Sequence, residues 1–417
     1  MTVATDIDSF VFAPGFSARA TACGLKTSSV MGASDLDLAL IATETPCSAA
    51  GIFTTNKVKA APVLYDQEVL AQQAHAIRAV ITNAGCANAC TGPQGMANTR
   101  QTAALVAERI GCAPEQVLVL STGVIGRQLP MEKLSRGIEA VTSSEALVGA
   151  PFVARAIMTT DTKPKVASAT ITLAGGSITI AGCCKGAGMI HPNMATMLAI
   201  VTTDAQIEPA LLDTALRRAA NTSFNRISVD GDTSTNDTLF LLASGASDVK
   251  IGEAELDVFA IALSEVCTSL AKQVARDGEG ATRLIEINVT GARDEAEAHT
   301  VANSIATSPL FKCAVHGGDP NWGRVLCAAG YSGADIDQNK LALTFGPADR
   351  YGDNDSPAVQ VVANGLPLEY EEREAAATLK SDPVLVRLDL GQGSARATVW
   401  TCDMSAEYVE INAHYTS

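Results

Sequence analysis

Apolar runs broken by short polar turns alternate with helical periods along most of the chain. Residues 76–83, AIRAVITN, read as a strand that runs into the polar turn NAGCANACTGPQG. Residues 96–110, MANTRQTAALVAERI, carry apolar positions at helical spacing and stop at Gly111, the residue that best tolerates the left-handed backbone closing a helix. EQVLVLSTGVIG is an apolar strand ending at Ser121-Thr122-Gly123, and VASATITLAGGSITIAGCC alternates around Gly-Gly as a hairpin does. IEPALLDTALRRAANTSF has a helical period, and NRISVDGDTSTNDTLFLLASG reads as two strands joined by a polar turn. Residues 253–276 predict a long amphipathic helix, TRLIEINVTGA a strand and DEAEAHTVANSIATS a helix. Residues 347–367 are turn-rich and predict a surface excursion, and the chain closes on EYVEINAHYTS, which has the look of a strand. Elements of both kinds in alternation predict an α/β fold with mixed sheets and helices layered on them.

Composition narrows this picture. A chain of 417 residues holds two or three domains or one large α/β body, and no shift of composition marks a boundary. Aromatic residues are only 4%, while alanine, glycine and threonine abound, so the core is expected to pack small aliphatic side chains with closely approaching backbones. The net charge of −15 argues against nucleic acid and anionic membrane as partners. Eleven cysteines, an odd number without a short-period framework, predict reduced thiols and a cytoplasmic protein. The start shows no secretory pattern, Asp6 and Asp8 are foreign to a transit peptide, and no run of 18 apolar residues occurs.

Most candidate motifs have bland readings. CANAC is C-x3-C without a second pair, and the five histidines supply no matching spacing, so zinc is not expected. CCKGAG lacks the full phosphate-loop spacing, although Lys185 within it suits an anion. DGDTSTNDT places its glycine too early for a calcium loop and reads as a polar turn; GDPNWGR reads as a tight turn into a helix, with Pro320 in the first turn. Thr196 differs, in the run KGAGMIHPNMATMLAIVTTDA. A hydroxyl nucleophile needs a base, and an N-terminal threonine carries its own in the α-amine. An internal threonine gains that amine only if the chain is cut before it, and Ala195 leaves the hydroxyl room to reach the preceding carbonyl.

STGVIGRQLP, MTTDTKPK, KGAGMIHPNMATMLAIVTTDA, NTSFNRISVDGDTSTNDT, DGEGATRLIEI, HGGDPNWGR and YVEINAHYTS occur in this order. Together they resemble the ornithine acetyltransferase (glutamate N-acetyltransferase) family of arginine biosynthesis, over essentially the whole chain. The resemblance implies an αββα-type sandwich similar to the N-terminal-nucleophile hydrolases but with its own topology. It implies self-cleavage between Ala195 and Thr196 into an α chain, 1–195, and a β chain, 196–417, assembling as α2β2 or larger. Thr196 is then the nucleophile, Thr122 and Gly123 form the oxyanion hole, and Thr159, Lys185, Thr196, Glu279, Asn412 and Ser417 contact substrate. Cys86 stands where the family commonly has asparagine, outside the catalytic set. The implied reaction moves acetyl from N-acetylornithine to glutamate with no metal or organic cofactor, acetyl-CoA being a further donor in some members. The competing readings are an aminopeptidase or amidohydrolase of related architecture, a secondary-metabolism paralogue, and an uncleaved binding protein.

Overall fold

The computed structural model describes residues 1–26, 35–173, 175–191, 197–347 and 358–414. Two compact units emerge. Unit 1 is built from Met1–Asn225 and Asp232–Val274, and unit 2 from Arg226–Gly231 and Ala275–Tyr415. This division differs from the 195/196 junction expected from the sequence, on both sides of which the chain belongs to unit 1.

Unit 1 holds a mixed sheet. Its strands are β1 (Phe16–Thr21), β2 (Leu38–Phe53), β3 (Ile77–Cys86), β4 (Val117–Val124), β5 (Leu147–Val148), β6 (Lys165–Leu173), β7 (Gly176–Lys185), β8 (Leu198–Thr203) and, after β9 (Gln206–Ile207) and β10 (Ile227–Ser228), β11 (Thr238–Ala243). The order is β4-β3-β2-β11-β8-β7-β6, with β1 on β2 and β5 on β1; β9 pairs separately with β12 (Lys250–Ile251). β3 with β4 and β8 with β11 are parallel, and the remaining neighbours in the main order are antiparallel. Central strands covered on both faces need apolar residues at every position, and β8, LAIVTT, and β11, TLFLLA, are buried throughout.

α1 (Ala61–Gln73), α2 (Gly92–Ile110), α3 (Met131–Val141) and α4 (Ala150–Ala156) pack on the sheet, and their Val69, Val106, Leu134, Ile138 and Val153 share one buried core with Leu40, Ile81, Leu118 and Leu120 of β2, β3 and β4. α2 ends where the sequence places it, on Gly111 with φ 71°. α5 (Pro209–Thr222) packs on β2. α6 (Leu256–Arg276) lies on the face that Cys184 presents, since the Cys184 thiol contacts Leu270 O. Successive strand residues point to opposite faces, so vicinal Cys183 and Cys184 divide between two layers and both are wholly buried. Gln273 of α6 binds both backbone groups of Val166 on edge strand β6, accepting at 3.2 Å and donating at 2.9 Å. α6 is long and apolar enough to cross a membrane by length and composition. Its Phe259, Leu263, Val266, Cys267 and Leu270 are instead packed inside unit 1 at zero exposure.

Unit 2 holds a sheet of order β10-β18-β13-β17-β14-β15-β16. The strands after β12 are β13 (Leu284–Ala292), β14 (Ala342–Pro347), β15 (Val359–Ala363), β16 (Leu366–Pro367), β17 (Val384–Asp389) and β18 (Ala395–Cys402). Period-two alternation on β13 buries Ile285, Ile287 and Val289 against Val301 and Ile305 of α7 (Glu295–Ala306) and Phe311 of α8 (Pro309–Gly317). On the other positions Glu286 accepts from the Trp400 indole at 2.8 Å, and Asn288 donates to Thr398 at 2.9 Å, both from paired β18. α9 (Trp322–Gly330) and α10 (Glu372–Thr378) complete the layer, and α11 (Ala406–Ala413) follows β18.

The α/β class holds. The two strands read in 225–245 form, β10 in the sheet of unit 2 and β11 in that of unit 1, with the polar turn between them. Three local expectations change. Part of the expected excursion, 359–367, is the strand pair β15 and β16. Pro320 precedes the N-cap Asn321 of α9, whose side chain accepts from Arg324 N, so it lies outside the first turn. Residues 406–413 are helical, not extended. There the β-branched Val409 and Ile411 favour a strand locally. Val409 is exposed, however, and only Tyr408 and Ile411, three apart on one helical face, are partly covered.

Candidate functional site

Thr122 and Gly123 sit at the end of β4, where its register with β3 slips between Gly85 and Cys86. Gly123 has φ +128°, and a Cβ there would lie 2.3 Å from Gly85 C and 2.6 Å from Cys86 N. Only glycine lets the two backbones approach this closely. Gly123→Ala is therefore expected to cost at least about 1–3 kcal/mol of stability, read as a fall in thermal midpoint. Gly126→Ala is the control, because φ there is also positive, +82°, but a Cβ would meet nothing within 4 Å. Equal losses in the two variants would show that close approach at Gly123 is not the cause.

A buried amide network fixes the same corner. Ser121 Oγ donates to Asn83 Oδ1 at 2.6 Å, and Asn83 Nδ2 donates to Cys86 O at 2.9 Å. From the turn before β11, Asn236 Nδ2 donates to Ser121 O at 2.8 Å and to Ala87 O at 2.7 Å. The cysteines of CANAC part here: Cys86 is buried in this corner, and Cys90 is exposed.

Lys185 ends β7, and its Nζ donates to Thr122 Oγ1 at 3.1 Å, with Lys185 4% and Thr122 6% exposed. The next residue, Gly186, donates its N–H to Asp161 Oδ1 at 2.6 Å; Asp161 Oδ2 accepts from Thr159 N at 2.9 Å. Lys165 Nζ completes the cluster at 2.6 Å from Asp161 Oδ1, and both partners are about 1% exposed or less. Burial alone would raise the Asp161 pKa, but Lys165 and Lys185, with the hydrogen bonds from Lys165 and Thr159, hold it below the usual carboxylate value. Asp37, fully buried, accepts from the N–H groups of Cys23 and Leu25 at 2.7 and 2.5 Å, and the Leu25–Lys26 backbone crosses directly over Gly85. Burial lowers the Lys26 ammonium to about 8, against the raising pull of Asp37 and Asp161, while Lys185 pushes with burial. Lys26, Lys165 and Lys185 thus share the field of Asp161. Lys185, with its Nζ on Thr122, is placed to attract an anionic group of a ligand.

The start of β8 is pinned as well. Met197 N donates to Asp237 Oδ1 at 3.1 Å, and Met197 O accepts from Thr238 N at 3.0 Å. Asp237 is wholly buried. Ala195, Thr196 and Ser417 lie outside the described residues.

In unit 2, Glu279 is 7% exposed and accepts from Asn412 Nδ2 at 2.8 Å. Gly280, φ +68°, allows this: a Cβ would stand 2.6 Å from Tyr408 N, and Ser405 Oγ donates to Gly280 O at 2.6 Å. The fold therefore gathers Thr122, Gly123, Thr159 and Lys185 within unit 1, and Glu279 with Asn412 within unit 2. Sequence reasoning missed Asp161, Lys165, Asn83, Ser121, Asn236 and Asp237. The only available signal was that several stand inside the blocks MTTDTKPK and DGDTSTNDT.

The model of the ArgJ family matches residues 17–417. The chain is 47% identical over 406 residues to the arginine biosynthesis bifunctional protein ArgJ of Dehalococcoides mccartyi, covering 97% of this chain and 96% of that protein. It is 48% identical over 388 residues to the protein of the same name from Geobacter sulfurreducens, covering 91% and 94%. Among solved structures it is similar to ornithine acetyltransferase complexed with ornithine from Mycobacterium tuberculosis, with 39% identity, a TM-score of 0.40, and coverage of 47% of this chain and 100% of that chain.

Proposed function

Because the chain belongs to the ArgJ family, we propose that it transfers acetyl from N-acetylornithine to glutamate through an acetyl-threonine intermediate. The observation that carries this reading is the buried contact between Lys185 Nζ and Thr122 Oγ1 beside the close approach of β4 to β3 at Gly123. The ammonium donates to the hydroxyl oxygen, which polarises the Thr122 O–H and strengthens it as a donor to a developing anion. Gly123 N–H is the second donor.

The reaction begins with a cut between Ala195 and Thr196, which frees the Thr196 α-amine as a base. The amine takes the hydroxyl proton, and Oγ1 attacks the acetyl carbonyl to give a tetrahedral anion facing Thr122 and Gly123. Collapse expels ornithine and leaves the Thr196 ester. The amine of glutamate attacks that ester and leaves as N-acetylglutamate. Lys185 attracts the substrate carboxylate, while Glu279, oriented by Asn412, reads the cationic amine that ornithine has and glutamate lacks. The family resemblance gives Thr159 and Ser417 as further substrate contacts. The chemistry calls for no metal or organic cofactor, and acetyl-CoA serves as a second donor. The cut chains stay together and assemble as α2β2 or larger in the cytoplasm.

Initial rates at varied acetylornithine and glutamate test the mechanism. A covalent acetyl-enzyme predicts parallel double-reciprocal lines and exchange of labelled ornithine into acetylornithine without glutamate. Intersecting lines with no exchange overturn the ester intermediate, and release of free acetate in place of N-acetylglutamate makes the protein an amidohydrolase.

A further inference from the structure

We propose that Asn236 is a positioning residue for acetyl transfer, acting through the strand end that carries Thr122. The inference rests on the reading of Thr122 as a donor to the reacting oxygen. β3 and β4 stay in register through Asn83–Ser121 and Ala84–Thr122 and slip just beyond, between Gly85 and Cys86, so the Ser121–Thr122 peptide lies at the last regular rungs of the ladder. Asn236 adds a constraint there from 115 residues away. Its two amide hydrogens go to Ser121 O and Ala87 O, one carbonyl from each side of the slipped pair, at 2.8 and 2.7 Å. Its Oδ1 accepts from Thr235 Oγ1 at 2.6 Å, and its own N–H donates to Ser234 Oγ at 3.1 Å. Both carbonyls can only accept, so the amide orientation is forced. The residue is 6% exposed, and water does not compete freely for these bonds. On its other side Ser121 is held by Asn83, so the residue preceding Thr122 is clamped through both main chain and side chain.

No other common side chain of this size offers two donors to two carbonyls. Aspartate, its isostere, sets a carboxylate against both and pushes them apart. The carbonyl held by Asn236 belongs to the peptide bond that enters Thr122, so releasing it lets the Thr122 hydroxyl drift. A donor displaced by about 1 Å costs on the order of 10²-fold in rate. Substrate binding rests on other residues and is spared.

The test is a double-mutant cycle on Asn236→Ala and Thr122→Ala, with rates per processed chain quantified on a denaturing gel. Asn236→Ala is expected to lower kcat by about 10–100-fold, with KM for acetylornithine changed less than about threefold. Thr122→Ala is expected to lower transfer by roughly 10²–10³-fold. Because one residue acts through the other, the double variant should be no slower than Thr122→Ala alone. If Asn236→Ala fails to fold, the same cycle run with Asn236→Ser, which is neutral and keeps one donor, decides. Losses that multiply, a normal kcat in the Asn236 variant, or a loss confined to KM overturns the inference. Normal transfer by Thr122→Ala instead overturns the oxyanion reading itself.

Discussion

Thr196→Ala is expected to leave a single uncut chain with no acetyl-transfer activity, the largest effect of any substitution here. On the proposed mechanism alanine removes the hydroxyl that attacks in both the cleavage and the transfer. The wild type should give fragments 1–195 and 196–417, the second reading Thr-Met-Leu-Ala by sequential degradation. Thr196→Ser keeps a hydroxyl and should still cut. The pH dependence has a definite sign. A free α-amine has a pKa of about 7.7–8.0 and is a base only when neutral, so transfer should weaken as the pH falls through that range. A Thr196→Ala variant that still cuts and transfers, or a wild-type fragment beginning elsewhere, would overturn the assignment of the nucleophile.

Asp161→Asn should be the most damaging change to stability. The carboxylate is buried beneath Lys165, Gly186 N–H and Thr159 N–H, and the neutral amide leaves the Lys165 ammonium without its counter-charge at about 1% exposure. Breaking such a buried pair typically costs about 3–5 kcal/mol, measured as the free energy of unfolding in urea. Lys165→Met on the Asp161→Asn background should recover part of the loss, since no ammonium then remains buried. The folded pKa of Asp161 lies below its ordinary 3.8, so the unfolded chain binds the proton first as pH falls. The stabilisation is therefore complete above about pH 4 and lost progressively below it. The gap between wild type and Asp161→Asn should stay constant from neutrality down to that point and then close. A gap unchanged at lower pH would mean that the carboxylate's charge is not what the variant loses.

How much could be read beforehand depended on how local each signal was. β4, the β6–β7 pair and α7 announce themselves by period and by adjacent turn residues, and Gly111 marks the end of α2 because the left-handed cap is a property of one residue. The terminal helix α11 was misread because Val409 and Ile411 favour extended chain locally, whereas Ser405 and Tyr408 pack it on the Gly280 turn. Thr122 and Gly123 take their roles from resemblance alone, while Lys185 stands out in CCKGAG as a lysine suited to an anion. Nothing in the spacing of Thr122 and Lys185, 63 residues apart, predicts their contact. The supporting groups were harder still. Asp161 stands unremarked in MTTDTKPK, and Asn236 belongs to the polar turn DGDTSTNDT. Their importance lies in what the fold buries around them, a non-local property that no window of sequence contains.

The order of the larger sheet has a further consequence. β8 and β11 come from after residue 196, yet they lie between β2 and β7, which come from before it. A cut at that point would turn one folded chain into two interleaved pieces, neither of which owns the whole of this sheet. While the sheet stays closed the pieces cannot separate, because each would abandon buried ladders on two sides. Once opened, they would have to find one another again by diffusion, with unpaired central strands exposed meanwhile. An uncut precursor would refold as a single molecule, whereas recovery of a cut protein from denaturant would depend on concentration and compete with aggregation. The working lifetime of the cut protein would then be a rate of opening and not an equilibrium.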